Sequence, residues 1–185
     1  MGLVRLAGQV SAARQPYSGS VAVTRALSAA VGETVNIAVL DGDQAVYLDQ
    51  VAGTNVMSFR SWLGQRVPTH ASATGKALTA WLSPDRRAAA RPRTLLRLTE
   101  RTITSVRELE AELGRVRRDG YSMAIEELEV GLAAIAAPVR DSHGEVVATV
   151  AVSGPSFRIT PERYDQIATQ VVAAAAQLSG TGDFA

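Results

Sequence analysis

Residues 120–155 read GYSMAIEELEVGLAAIAAPVRDSHGEVVATVAVSGP, and this stretch decides the fold. Leu132 to Val139 and Val146 to Ser153 are short apolar runs bounded by turn residues, the pattern of strands buried on at least one face. Asp141-Ser142-His143-Gly144 supplies the connection, since Gly accepts a positive φ and Asp can bond its own backbone. The stretch is therefore a hairpin preceded by an acidic segment.

Working outward, Val35 to Leu40 and Ala45 to Val51 read as a second hairpin around Asp41-Gly42-Asp43-Gln44. Met57 and Phe59 alternate with Ser58 and Arg60 as a further strand. Leu3, Leu6, Ala7 and Val10 recur at helical spacing, and Pro16 suits the first turn of a second helix. That helix carries a stripe of Val23, Leu27, Ala30 and Val31 and stops at Gly32. From Arg66 the chain turns through Pro68 into a helix that ends before Pro84, because a residue preceding proline avoids helical geometry. Ser83-Pro84 opens another short helix. Ser105 and Glu108 have capping-box spacing, with Val106, Leu109, Leu113 and Val116 forming one apolar face up to Gly120. Thr160-Pro161 opens a last helix with Tyr164, Ile167, Val171, Ala175 and Leu178 on one side. Helices thus open and close a chain of about six strands joined mainly by hairpins, which predicts an α+β domain with a mainly antiparallel sheet.

The chain has 185 residues, enough to bury a sizeable core as one domain, and a net charge of +1. That balance gives no global electrostatic footprint for nucleic acid. Without cysteine there is no disulfide, thiolate chemistry or Cys-ligated zinc, and a cytoplasmic location is expected. No run reaches the ~20 apolar residues of a membrane span, and the first residues lack a secretory signal.

Several motifs bear on possible chemistry. Ala73-Thr74-Gly75-Lys76-Ala77 resembles the end of a phosphate loop, but His70 and Ala77 stand where a Walker A motif needs Gly and Ser or Thr. What survives is a helix start at Ser72, Ala73 and Thr74, where free amides favour an anion; Ser72 alone reads more simply as the cap of its helix. Glu126, Glu127 and Glu129 read as a solvated acidic loop. His70 and His143 lack zinc spacing, and no cofactor is expected. A hydrolase built on Ser72 and His70 remains an alternative without a nucleophile elbow or an orienting acid. Trp62 and Trp81 are candidates to line a cavity, although large aromatics are more often ordinary core or interface residues.

Three blocks, GETVNIAVLDGDQAVYLDQV at 32–51, RVPTHASATGKAL at 66–78 and the opening stretch, resemble the effector-binding domain of IclR-family bacterial transcriptional regulators. LTERTITS at 98–105 and GPSFRIT at 154–160 extend the match, which covers most of the chain. The resemblance implies a GAF-like domain whose curved sheet and flanking helices enclose a small-molecule pocket, and self-association as dimers or tetramers. It divides the chain into a linker helix region at 1–15, an effector-binding domain at 16–179 and a frayed tail at 180–185. The winged helix-turn-helix that normally precedes such a domain has no counterpart in this sequence, so DNA would be met only through that missing part.

Carried over residue by residue, the resemblance gives an apolar wall of Val56, Phe59, Val67 and Leu132. The amides of Ala73 and Thr74 would receive an anionic group. Relatives that bind small oxoacids use polar side chains at positions held here by Ala124, Ala134, Ala151 and Ser153, of which only Ser153 is polar. A small oxoacid would leave oxygens unpaired in such a cavity, at about 1–3 kcal/mol each. The expected effector is therefore an aromatic or hydrophobic carboxylate, lying against Phe59, Leu132 and Ala151, that alters DNA binding of the intact protein. A purely structural dimerisation module is the remaining alternative.

Overall fold

The structure, a computed structural model, describes residues 20–54 and 61–179. The expected helix through Leu3 to Val10, the strand around Met57 and Phe59, and the tail from 180 lie outside the described residues.

Helix α1 (Ser20–Val31) leads into the hairpin β1 (Thr34–Asp41) and β2 (Gln44–Val51), followed by β3 (Arg66–Pro68). Three helices follow, α2 (Ala73–Thr79), α3 (Pro84–Ala89) and α4 (Val106–Asp119). Strands β4 (Ser122–Ile125), β5 (Leu132–Arg140) and β6 (Val146–Pro155) and helix α5 (Pro161–Leu178) complete the domain. The six strands form one sheet in the order β3-β2-β1-β6-β5-β4, every neighbouring pair antiparallel, and it curls into a half-barrel.

Strand alternation gives this sheet two different faces. Val35, Ile37, Ile135, Val139, Val150 and Val152 point to one side and pack with Leu27 and Val31 of α1 and Ile167, Val171 and Leu178 of α5. Burying each such side chain contributes about 1.5–3 kcal/mol, so this layer is the main source of stability. The other face carries small residues. Ala124, Ala136 and Ala151 pack against Ala73 and Ala77, which lets α2 lie close to the sheet.

Most boundaries follow the local chemistry. Ser105 Oγ accepts from the Glu108 amide, and α4 ends at Gly120 with φ +82°, a left-handed stop that glycine adopts without a Cβ clash. Two bulges interrupt the ladders. Leu48 is the extra residue between the Ile37–Asp49 and Ala38–Tyr47 pairs, and Val147 plays that part opposite Val139 and Arg140.

Some expectations need correction. Ala30 is exposed, and the inward stripe of α1 instead includes Ser20, Thr24 and Ser28, with the Thr24 and Ser28 hydroxyls donating to the Ser20 and Glu33 carbonyls. Val106 is 44% exposed, while Glu112 takes a buried place between Leu109 and Leu113. Strands β3 and β4 were not foreseen, since three and four residues are too short to show a period. No helix among the described residues is long and apolar enough to cross a membrane.

Candidate functional site

Helix α2 crosses the small-residue face of the sheet, and a pocket opens at its first turn. Tyr47, Trp62, Ser72, Ala73, Ala124, Leu128, Leu132, Ala134 and Ser153 line it, and it holds about 310 Å³ of space counting its open mouth. The sheet supplies the floor through alternate residues of β4, β5 and β6. Trp62 and Tyr47 form one wall, their rings 5.7 Å apart and tilted by 46°.

A hydroxyl chain ties the helix start to β2. Tyr47 Oη lies 3.3 Å from Thr74 Oγ1, Thr74 donates to Ser72 Oγ at 3.4 Å, and Ser72 donates to the Pro68 carbonyl at 2.9 Å. Ser72 also accepts from the Gly75 amide, so it caps its own helix as the simpler reading held. Burial pushes the Tyr47 phenol up from its ordinary pKa, against the pull of Thr74, so it stays a neutral donor. The Ser72 proton and His70 Nε2 are both engaged by carbonyls, Pro68 and Leu96, and no bond joins the two side chains. The Ser72/His70 hydrolase arrangement is therefore not assembled.

The A-T-G-K sequence has a structural explanation. A Cβ on Gly75 would lie 2.3 Å from Thr69 Cα, so only glycine lets the helix pass this close to the chain before it. Lys76, the only lysine in the sequence, is fully buried, its Nζ 2.7 Å from Glu127 Oε1 and 3.5 Å from Glu112 Oε1. Arg115 pairs with Glu112 from outside. Burial pulls the Lys76 ammonium below the ordinary lysine range, while Glu127 opposes that shift and Arg115 adds to it. Glu127 is thus an ion-pair partner of α2, correcting the solvated acidic loop expected there.

The loop after β4 is held on several sides. Thr99 Oγ1 donates to the Glu126 carbonyl at 2.6 Å and Thr102 Oγ1 to the Glu127 carbonyl at 2.7 Å. Glu126 adopts φ +58°, unusual for a residue with a Cβ, and its carboxylate accepts from Ser156 Oγ and the Gly131 amide and faces Arg101. Those contacts hold its pKa below the usual carboxylate range, the Ser156 bond first among them. Fixed in this way, the loop presents Leu128 to the pocket.

Of the residues named from sequence, Ala73, Ala124, Leu132, Ala134 and Ser153 meet at this pocket. Thr74 lies just behind, bonded to Tyr47, and Ala151 is buried in the alanine layer beneath. Val67 packs behind the wall with Tyr47, Trp62 and Leu132. Val56 and Phe59 fall outside the described residues. Sequence reasoning missed Tyr47 and Leu128, while Trp62, named as a cavity candidate but favoured as an ordinary core or interface aromatic, does line the pocket. Tyr47 shared the inward alternation of Ala45, a usable signal. Trp81 is not at the site but under the Arg140 guanidinium, 4.6 Å from its ring.

Fold and pocket together define a GAF-like α+β domain with an open pocket on one sheet face, at the first turn of α2. The family described as bacterial transcriptional regulator IclR, C-terminal, matches residues 18–180, and the chain belongs to that family. It is 36% identical over 160 residues to the acetate operon repressor of Salmonella typhimurium, a match covering 85% of this chain and 58% of the repressor. The chain thus spans little more than half the length of such relatives. The solved C-terminal domain of the E. coli transcriptional regulator KdgR superposes with a TM-score of 0.80 at 33% identity, over 91% of this chain and 99% of that domain. The inducer-binding domain of the Acinetobacter transcription factor PobR, solved as a double mutant in complex with 3-hydroxybenzoic acid, gives 0.78 at 30%, over 86% and 94%.

Proposed function

We propose that this domain senses an aromatic or hydrophobic carboxylate and, within a longer cytoplasmic regulator, self-associates and alters DNA binding when the ligand is bound. The observation that carries this reading is the composition of the pocket: Trp62, Leu128, Leu132, Ala124 and Ala134 offer apolar walls, while polar groups gather near the start of α2 and at Ser153. The ligand's acid group is assigned to the amides of Ala73 and Thr74, which as first-turn amides have no partner within the helix. Its body would lie on Leu132, with Val67 behind; Val56 and Phe59 are assigned to the same wall by the family resemblance alone.

Regulation then requires that the ligand favour one arrangement of the intact protein over another, since equal affinity for both shifts nothing. The PobR domain, whose crystals hold an aromatic acid, supports the ligand class. The test is a thermal-shift screen of oxoacids, aromatic acids and neutral aromatics on this domain, with Ala134→Phe as the filled-pocket control. At ~100 times the dissociation constant a true ligand adds about 2.7 kcal/mol of stability. Stabilisation by aromatic acids that disappears in Ala134→Phe supports the reading; stabilisation by glyoxylate alone overturns it.

A further inference from the structure

The chain between α3 and α4, residues 90–105, has neither helix nor strand; connections this long are uncommon in compact domains and are either functional or loose. This one is fastened from behind. Leu95 and Ile103 pack with Leu109, Leu113 and Val116 of α4, His70 Nε2 bonds the Leu96 carbonyl, and Thr102 Oγ1 accepts from the amides of Leu98 and Thr99. Thr99 and Thr102 in turn grip the Glu126 and Glu127 carbonyls.

On this fixed frame apolar side chains point outward. Leu96 is 62% exposed and Leu98 42%. Arg97 between them reaches across to Thr104 Oγ1 at 3.4 Å, which brings the start of α4, with its half-exposed Val106, alongside the two leucines. Single exposed leucines are ordinary, whereas apolar side chains clustered on a bonded loop and surrounded by polar groups mark a contact surface.

The surrounding charge is one-sided. Residues 91–108 hold five arginines against Glu100 and Glu108, while the whole chain carries only +1. Arg101 faces Glu126, and Arg97 bonds the Glu100 carbonyl and Thr104 rather than a carboxylate. Arg91, Arg93 and Arg107 have no ion pair among the described residues, and the α4 acids Glu110 and Glu112 are already taken, by Arg87 and by Lys76 and Arg115. An excess of positive charge therefore stands around the leucines.

We propose that the loop between α3 and α4 is a docking surface for an acidic segment of another protein, one that carries apolar side chains among its carboxylates. The apolar side chains cover Leu96, Leu98 and Val106, and the carboxylates meet Arg91, Arg93 and Arg107, an apolar centre with a charged margin. Nucleic acid matches the charge but leaves the leucines in water. An anionic bilayer would bring its headgroups against Glu100 and Glu108 as well as the arginines. The surface is independent of what the pocket binds.

The test is fluorescence anisotropy of labelled peptides with the full chain. One peptide alternates Glu or Asp with Leu and Phe, a second has Ser in place of the apolar residues, and a third has Lys in place of the acids. The variants are Leu96→Ser/Leu98→Ser and Arg93→Gln/Arg107→Gln; all four side chains are exposed, so melting points should stay within about 2 °C of the unaltered protein. The acidic and apolar peptide should bind the unaltered chain, more weakly as salt is added, and should bind each variant about 10-fold more weakly or worse. The Ser peptide should lose a similar factor on the unaltered chain, and the Lys peptide should not bind. No binding of the first peptide, or equal binding to the unaltered chain and both variants, overturns the proposal. Tighter binding of duplex DNA or of phosphatidylserine vesicles, lost in the same variants, overturns it in favour of a nucleic acid or a membrane. A fall in oligomer size of Leu96→Ser/Leu98→Ser in sedimentation overturns it in favour of a second copy of the chain.

Discussion

Lys76 Nζ lies 2.7 Å from Glu127 Oε1 with the lysine side chain wholly removed from solvent, so the pocket helix and the loop bearing Leu128 are joined by one buried ion pair. Removing one member strands a charge. Lys76→Ala is expected to cost about 3–5 kcal/mol in urea unfolding. Lys76→Met combined with Glu127→Gln should cost less than the sum of the two single changes, because no unpaired partner remains at that contact. An additive double-mutant cycle would refute the coupling.

Gly75 is fixed by its approach to Thr69 rather than by any phosphate. Gly75→Ala should destabilise by about 1–3 kcal/mol or more, each kcal/mol lowering the melting point by roughly 2–4 °C. A melting point within a degree of the unaltered protein would show that the helix can move away from Thr69.

His70 is held below its ordinary pKa by burial, reinforced by Lys76 and opposed by its bond to the Leu96 carbonyl. The unfolded chain therefore binds a proton at higher pH than the folded one. Stability is complete above the unfolded histidine pKa, ~6.5, and falls as pH drops below it, where unfolding takes up a proton. Comparing urea midpoints at pH 7.5 and pH 5.5 checks this: His70→Gln should lose less stability across that interval than the unaltered protein.

The two tryptophans report separately. Trp62 borders the pocket and Trp81 lies against Arg140. A bound aromatic acid should change the emission of the unaltered domain and of Trp81→Phe alike, and Trp62→Phe should remove most of the change. Loss of the signal in Trp81→Phe instead would place the ligand elsewhere.

How much of this was legible in the sequence varies with the range of the interaction. The two hairpins, the Ser105 cap and the Gly120 stop rest on neighbours in sequence, and their patterns carried them. Five named pocket residues converge because they sit on β4, β5 and β6 or open α2, which a family resemblance could align. Lys76 was opaque. Its partners Glu112 and Glu127 lie 36 and 51 residues away, and nothing local distinguishes a lysine destined for the interior from one bound for water. Leu128 was hidden for a similar reason, since its position depends on Thr99 and Thr102 gripping the carbonyls beside it. Asn36 sits in a strand pattern where a polar residue ordinarily marks the solvent-facing half of the alternation, and only a sheet covered on both sides makes it interior.

The strand order puts β1 between β2 and β6 at the middle of the sheet, with Asn36 turned to the pocket face and Val35 and Ile37 to the packing of α1. A partition one backbone thick thus separates the cavity from the helix at the other side. Ser153 at the pocket shares a peptide plane with Val152, which packs in the layer of Leu27 and Val31, so a guest that displaced Ser153 would press on that layer directly, without a corridor of relaying side chains.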